Sequence, residues 1–566
     1  MSHWSIHLSN QFRAWTKVPV TEHNWIAVKG TCLLDGRPAD LKSLATVLTS
    51  AMTQDELDSL LVRLNGFYAI VCVVESRLLA LVDHVRSQPL FYAQCAGRLC
   101  VSDDADWVRQ QVGESVIDAD SRAEFLLTGY VTGADTLFGQ VKQIQAGEYL
   151  EGVLGDAGWR LSAKRHFEFR HVEPDMPDQV ALAEGLDRVA VAAVQRMIDV
   201  AEGRQIAVPL SGGYDSRLIV TLLRRLEYPN LFAFTYGARG NREVAYSKRV
   251  ATALGVPWTC IEQSGDVWRS AWQTDERRGY QRWASGWNSL PHVQDWLAMR
   301  VLKQQRKIAA DALLVPGHTG DFISGGHIPD VCFDQVQFDV STAKRAILNK
   351  HYSLVKMDPD GHDAHRYLAR LCPNELHAEP MRAWQCADVC ERWEWQERQS
   401  KFTCNSVRVY EFFGFDWWLP LWDVEFVRFW QTVPLDLRRK RLWYIDYVSR
   451  QFSRHTELVG YGATELNNAS DPSRLLSTIG RLPGRQLLSR IRPLRDFLRL
   501  LLRLQSDQNR QGWEGWFDKG AYADMQARGM TVNGMVAVEF LRDCEDELVA
   551  RSALGQVVAD RTPDRG

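Results

Sequence analysis

Apolar residues recur along this chain with two different periods, and the change between them divides it. Up to about residue 165 they fall in short runs: Trp25 to Val28, Phe67 to Val74, Leu78 to Val82 and Leu99 to Val101. Gly, Asn, Asp and Ser separate these runs, which predicts strands joined by turns. Between Asp55 and Leu64 the spacing predicts a short amphipathic helix ahead of Asn65-Gly66. From Pro177 the pattern turns helical, with Val180, Leu182, Leu186, Val189, Val191, Val194 and Met197 recurring up to Val200. A regular alternation follows: a strand from Ile206 to Leu210, a helix bearing Leu218, Ile219, Leu222 and Leu223, a strand from Leu231 to Gly237, a helix from Glu243 to Leu254, and a strand from Trp258 to Ile261. Such β-α-β-α-β order argues for a parallel sheet that binds ligands at the carboxyl ends of its strands. Another apolar strand runs from Asp311 to Val315. The segment Val331 to Glu379 has no readable arrangement, and the tail carries a basic helical piece, Leu487 to Leu504, interrupted at Pro493. Trp513 to Phe517 and Val536 to Val549 read as packed helices.

The turn after the first strand of that alternation carries the chemistry. In Leu210-Ser211-Gly212-Gly213-Tyr214-Asp215-Ser216 two glycines let the backbone approach a phosphate closely. The N–H groups and dipole of the helix that begins there favour negative charge. Ser211 and Ser216 can donate to phosphate oxygens, and Asp215 can hold a magnesium ion. An ordinary strand-to-helix turn would use the same residue types.

Ser-Gly-Gly-x-Asp-Ser after a buried strand resembles the pyrophosphate loop of the ATP pyrophosphatases, in the version found in asparagine synthetases. The resemblance implies a doubly wound α/β sheet, ATP split to AMP and pyrophosphate, and Asp215 as a magnesium ligand. It implies adenine and ribose near Thr235, Tyr236 and Gly237. The run Gly317-His318-Thr319-Gly320-Asp321-Phe322-Ile323-Ser324-Gly325-Gly326 is similar to that family's Gly-x-Gly-x-Asp-Glu-x-x-Gly-Gly. Gly317 then lies beside the nucleotide, and Asp321 is the second metal-binding and catalytic carboxylate. Two positions depart: His318 stands for a Glu that serves amide formation, and Phe322 for the Glu beside the metal Asp. His318 is expected to contact substrate or move a proton. Glu243 and Lys248 lie on the helix after the adenine strand. Farther on, Asp423 matches an Asp that closes the substrate pocket or else caps a helix, with Trp418 where Arg is usual. The family's later Lys has no counterpart between Phe452 and Glu465, and Lys440 comes too early.

In the first part, Asn65-Gly66-Phe67-Tyr68, Asp83-His84-Val85-Arg86-Ser87-Gln88-Pro89 and Val101-Ser102-Asp103 resemble the class II glutamine amidotransferase domain, an αββα sandwich of the N-terminal-nucleophile type. That domain attacks glutamine with a Cys directly after Met1, activated by its own amino group. This chain has Ser2 there, and the glutamine-gripping segments have no counterpart in residues 25 to 60. The resemblance therefore implies a degenerate domain that buttresses the rest, with ammonia or an amine as nitrogen source.

Composition changes this picture little. A balance of 67 basic and 70 acidic residues gives no reason to expect nucleic-acid binding. The 11 Cys are scattered, without a CxxC pair, and read as reduced thiols; Cys386 and Cys390 share a helix face, but with no His nearby the spacing is read as chance. The 21 Trp are read as core packing. The opening residues do not read as a signal peptide and no apolar run reaches the about 18 residues a bilayer requires, so a cytoplasmic chain without membrane contact is expected.

The expectations are an α+β Ntn-like αββα sandwich over 1–165, an α/β doubly wound parallel-sheet domain over 175–460 and a helical extension over 461–566. The expected activity is an ATP- and Mg²⁺-dependent, AMP-forming ligase joining a small-molecule or peptide carboxylate to ammonia or an amine, with a homodimer left open. Relatives lacking glutaminase activity include β-lactam synthetases, lasso-peptide cyclases and enzymes of surface-polysaccharide clusters. The aromatic segments resemble the last group, which implies a sugar carboxylate. The alternatives are a non-catalytic nucleotide-binding or scaffold homologue, an intramolecular amide-forming cyclase, and an adenylating enzyme that transfers sulfur.

Overall fold

The computed structural model of the protein describes residues 4–456, 517 and 519–559, apart from 55, 177, 336, 358–364, 369–370 and 372–379. The chain opens with strands β1 (Trp4–His7), β2 (Thr16–Pro19), β3 (Trp25–Leu34) and β4 (Arg37–Pro38). Helices α1 (Leu41–Thr53) and α2 (Leu57–Leu61) follow, then β5 (Leu64–Val74), β6 (Arg77–Val82), β7 (Phe91–Cys95) and β8 (Arg98–Ser102). Helices α3 (Ala105–Val112) and α4 (Ala119–Thr128) lead to β9 (Lys142–Gln143), β10 (Glu148–Gly155) and β11 (Gly158–Arg165). These strands make two sheets, ordered β1-β8-β7-β9 and β11-β10-β6-β5-β3-β2, with β4 beside β3.

Strand β5 shows why its sequence reads as an unbroken apolar run. Tyr68, Ile70 and Cys72 point to one face and pack with Leu44, Leu48 and Leu60 of α1 and α2. Ala69, Val71 and Val73 point to the other and pack with Leu99 and Val101 of the neighbouring sheet. Both faces of a strand in this position are buried, so period-two alternation disappears from its sequence. The helix expected from 55 to 64 is only Leu57–Leu61 because the chain enters β5 at Leu64, and α1 lies before it. That helix is legible in hindsight: Asp40 accepts a hydrogen bond from Ser43 N at 2.9 Å as its N-cap, and Leu44, Leu48, Ala51 and Met52 form its buried stripe.

Helix α5 (Gln179–Ala201) leads into a five-stranded sheet. Its members are β12 (Ile206–Pro209), β13 (Leu231–Gly237), β14 (Trp258–Glu262), β15 (Leu313–Leu314) and, after an antiparallel pair β16 (Gln337–Phe338) and β17 (Met381–Arg382), β18 (Asp416–Trp417). The order is β14-β13-β12-β15-β18 and every pairing is parallel. Helices α6 (Tyr214–Arg225) and α7 (Arg242–Ala253) supply the crossovers on one side of β12; the chain reaches the other side only through β15. The order therefore reverses between β12 and β15, a switch point of the kind where open α/β sheets bind ligands. Strand β18 was not legible beforehand, because two residues between aromatic clusters carry no strand period.

The main hydrophobic core takes in Phe67, Phe91 and Phe138 from the first part of the chain together with Ile206, Val208, Leu313, Trp417 and Trp422. Phe167 and Phe169, at the expected boundary near 165, are part of it. Polar contacts cross the same junction. Asn65 Nδ2 donates to Asp423 Oδ2 (2.9 Å), Gln88 Nε2 to Glu411 (2.7 Å) and Trp395 Nε1 to the carbonyl of His84 (2.8 Å). The helix Val532–Ala559 inserts Phe540, Leu541 and Cys544 into the core, where Phe540 stacks on Phe125. The expected basic segment Leu487 to Leu504 lies outside the described residues. Among the described residues no helix is long and apolar enough to cross a membrane.

Candidate functional site

Strand β12 delivers Leu210 to the sheet edge, held there as its N–H donates to the carbonyl of Phe234 (2.7 Å). The chain then turns through Ser211 and Gly212, and α6 begins with Gly213 as its N-cap and no side chain capping it. A helix N-terminus without a side-chain cap is the arrangement that anion sites use. Ser216 Oγ accepts from Ser211 N and lies 3.2 Å from Ser211 Oγ, so both hydroxyls sit within the turn. Gly212 has no room for a side chain: a Cβ would come within 2.9 Å of Tyr246 Cβ.

The loop after β15 meets this turn across the switch point. A Cβ at Gly317 would lie 2.8 Å from Ser216 N, and one at Gly320 only 2.6 Å from Asp215 Oδ1. These two glycines are required by close approach. They let Asp321 N donate to Asp215 Oδ2 at 3.1 Å, bringing together the two carboxylate residues that sequence places 106 positions apart. Burial pushes Asp215 up to about 6, against the pull of Arg441, whose Nη2 donates to Oδ1 at 2.6 Å. For Asp321 burial also acts upward, but the hydrogen bond and charge of His327, with Arg441 beyond, outweigh it and hold this carboxyl well below the usual range.

Besides the buried Glu394, three residues of this centre were not singled out from the sequence. His327 Nε2 lies 3.1 Å from Asp321 Oδ2, and its Nδ1 is hydrogen-bonded to the buried Glu394. Lys350 Nζ donates both to Glu394 (2.7 Å) and to the carbonyl of His327 (2.8 Å). Despite burial, the hydrogen bonds and charges of the two carboxylates raise His327 above its ordinary value, and its Nε2 holds Asp321 in place. Arg441 is the third. It follows Lys440, which is exposed, and Arg441 Nε also donates to Ser324 Oγ (2.9 Å). The clue in the sequence was only the basic triplet Arg439-Lys440-Arg441.

The remaining expected residues fall around this centre. Thr235 is buried near the end of β13, and Tyr236 is hydrogen-bonded through its hydroxyl to Asp295, which also accepts from Tyr410 (2.9 Å). Gly237 ends the strand, its carbonyl accepting from Gln263 N (2.9 Å). His318 lies 3.3 Å from Ser406 Oγ through Nδ1, and burial lowers it to about 4, so it is neutral at pH 7. Phe322 points into the core against Phe169 and Trp422. Glu243 and Lys248 are exposed on α7, the former donating its N–H to the cap residue Asn241 (2.8 Å).

Asp423 is not at this centre. It caps the helix Val424–Trp430 and receives both Nε and Nη2 of Arg196 (2.7 and 2.6 Å), together with Asn65. Trp418 packs edge-on against Phe67. Ser2 lies outside the described residues. A cleft of about 250 Å³ lined by Phe91, Asp104, Arg282, Trp283, Asn405 and Arg408, among others, has none of the loop residues in its wall.

The model of the asparagine synthase family matches residues 185–270, a segment that holds most of α5, strands β12 to β14 and the whole Ser211 to Ser216 turn. No curated protein matches the chain. Among solved structures, one similar chain is the glutamine phosphoribosylpyrophosphate amidotransferase from B. subtilis complexed with ADP and GMP. It is 11% identical, with a TM-score of 0.18, and the match covers 53% of this chain and 63% of that one. A second, described as the allosteric regulatory enzyme of purine biosynthesis, is also 11% identical with a TM-score of 0.18, covering 53% of this chain and 56% of that one. The chain thus spans under two thirds of the length of both.

Proposed function

We propose that the chain is an ATP-dependent, AMP-forming ligase that activates a carboxylate and joins it to ammonia or an amine without hydrolysing glutamine. One observation carries the reading: Asp215 and Asp321 meet beside an uncapped helix N-terminus, at the switch point of a parallel sheet, and the first of them lies within the segment matched by the asparagine synthase family. The oxygen donors there fit a hard divalent cation. Arg441 supplies a positive charge opposite Asp215, and His327 stands against Asp321. Asp215 and Asp321 would hold Mg²⁺, which when bound neutralises charge on the pyrophosphate.

The chain's own groups then divide the work. The first N–H groups of α6 and the hydroxyls of Ser211 and Ser216 receive the departing pyrophosphate as the substrate carboxylate attacks the α-phosphate. Arg441 turns from Asp215 to the phosphates and steadies the charge that develops there. It takes the part that the missing Lys would play. His318, neutral at pH 7, offers one ring nitrogen as acceptor for a proton from the attacking amine. Thr235 to Gly237 border the adenosine. The carboxylate belongs to a small molecule or a peptide, and a cyclising reaction would place the amine on the same molecule.

Calorimetry with ATP in the presence and absence of Mg²⁺ tests the nucleotide site. Binding that needs magnesium and is lost in Asp215→Asn supports it, and pyrophosphate release then screens carboxylates with ammonia or amines. A folded wild-type protein that binds no nucleotide overturns the reading and favours a scaffold.

A further inference from the structure

Outside this centre, and among the described residues, three cysteines form a group of metal-ligating side chains. Cys332 lies on the short helix Val331–Asp334, and Cys386 and Cys390 stand one turn apart on the helix Ala383–Glu394. All three are buried, with exposures of 0%, 0% and 5%. Their sulfurs lie within 4.8 Å of one another, and Cys332 Sγ is 3.6 Å from Cys386 Sγ. Four thiolates or three around zinc, at about 2.3 Å from the metal in a tetrahedral arrangement, have sulfurs about 3.8 Å apart. The spacing is thus near that of a metal-bound set and well beyond the about 2.05 Å of a disulfide. The sequence hid this, because Cys332 is 54 residues from Cys386 and i, i+4 spacing alone signals nothing.

We propose that Cys332, Cys386 and Cys390 bind one zinc ion that staples the two helices together. Binding converts three thiols to thiolates, releases three protons and leaves the fourth position to a solvent oxygen or another donor; no oxidant or reductant is involved. The site is structural rather than catalytic, since an apolar shell including Ile328, Phe338, Leu348 and Met381 closes around it.

Its place in the fold gives it a consequence for the carboxylate centre. Cys332 follows His327 by five residues, and Cys390 precedes Glu394 by one helical turn. Glu391, next to Cys390, is the buried partner of Arg438. A metal tying Cys332 to the Cys386–Cys390 turn therefore fixes the distance between His327 and Glu394, and through His327 the position of Asp321. The metal assignment stands whether or not the ligase reading holds.

The test is elemental analysis of the full chain, purified without a metal-affinity step from zinc-supplemented cells. About one zinc per chain is expected, falling at least fivefold in Cys386→Ser and in Cys390→Ser and unchanged in Cys100→Ser, a buried thiol outside the group. Should the Ser variants fail to fold, wild type alone decides. A mercurial reagent should release zinc in step with loss of three thiols, and Co²⁺ exchanged into the protein should show thiolate-to-metal charge transfer and intense tetrahedral d–d bands. Wild type that holds less than about a tenth of an equivalent and shows no thiolate–Co²⁺ bands overturns the proposal. So does peptide mapping that finds a Cys332–Cys386 disulfide. Cys372 follows Leu371 in sequence and lies outside the described residues; loss of zinc in Cys372→Ser would overturn a three-thiolate site in favour of four.

Discussion

Asp215 and Gly317 define what the centre tolerates at the scale of single residues. A methyl group at Gly317 meets Ser216 N at 2.8 Å and Asp215 Cβ at 3.2 Å, both on the first turn of α6. Backbone cannot swing aside as a side chain does, so Gly317→Ala should displace the loop, costing about 1–3 kcal/mol in urea unfolding and weakening nucleotide binding at least tenfold. Unchanged stability and binding would show that the two loops are not in contact. The imidazoles make a second prediction. Burial holds His318, His84 and His166 near 4, while the unfolded forms titrate near about 6.5. Between those values the unfolded chain binds more protons, so stability rises with pH and is lost as pH falls from about 6.5 toward about 4. Asp215 and Asp83, both raised to about 6 by burial, act in the opposite sense. His351, held near 3 by burial, joins the three imidazoles, and the larger downward shifts of the four keep the trend. Thermal unfolding should move to lower temperature between pH 7 and pH 5, and His318→Asn should flatten part of that slope. A melting temperature that is level over this range would contradict the assignment of neutral buried imidazoles.

Among elements, the helix Ala383–Glu394 does more than its sequence suggests. Its Glu394 holds His327, and its Glu391 is paired with Arg438, which is fully buried and also donates to the carbonyl of Ile323 (3.0 Å). Through that carbonyl Arg438 supports the turn Phe322–Gly326. Glu391→Ala leaves a buried guanidinium without its carboxylate, at a cost of about 3–5 kcal/mol. Replacing Glu391 and Arg438 together by apolar residues of similar size should recover most of the stability, but not the position of the turn. Denaturation of the single and double variants checks this: a double variant no more stable than Glu391→Ala would mean that the stranded guanidinium is not the source of the loss. The aromatic run Tyr410 to Trp422 agrees with the reading of its Trp residues as core packing. It is largely core, with Trp417 and Trp422 inside the hydrophobic cluster and Asp423 serving as a cap.

For the whole molecule, the question is whether its parts unfold separately. The main core takes in residues from the first sheets, the parallel sheet and the helix Val532–Ala559. That helix is tied by Arg277 to Asp543 (3.1 Å), Arg122 to Glu545 (2.5 Å) and Trp272 Nε1 to Glu539 (2.8 Å). Unfolding followed by far-ultraviolet circular dichroism and by Trp fluorescence should therefore coincide in a single transition. Deleting residues from 530 onward should lower its midpoint by uncovering Phe125 and its neighbours. Two separated transitions, or no effect of the deletion, would show that the shared core does not couple the parts.

The sequence by itself determined whatever depends on neighbours along the chain. Period and turn residues marked β5, β6, α5, β12, β13, α7 and β14 nearly to their ends, and the Ser211 to Ser216 turn, whose residue types are local, could be read as a candidate anion site. The apolar run from Asp311 to Val315 was legible as well, though only Leu313–Leu314 of it pairs as β15, whereas β18, two residues without period, was set by pairing with a strand already in place. Tertiary structure alone decided what meets what. It joined Asp215 to Asp321 across the switch point, paired Arg441 with Asp215, set His327 on Glu394, and gathered Cys332 with Cys386 and Cys390. Each of these needs backbone from distant segments to arrive at one place. A sequence records the residues that can fill such a place, but the distances belong to the packed sheet and helices that enforce them.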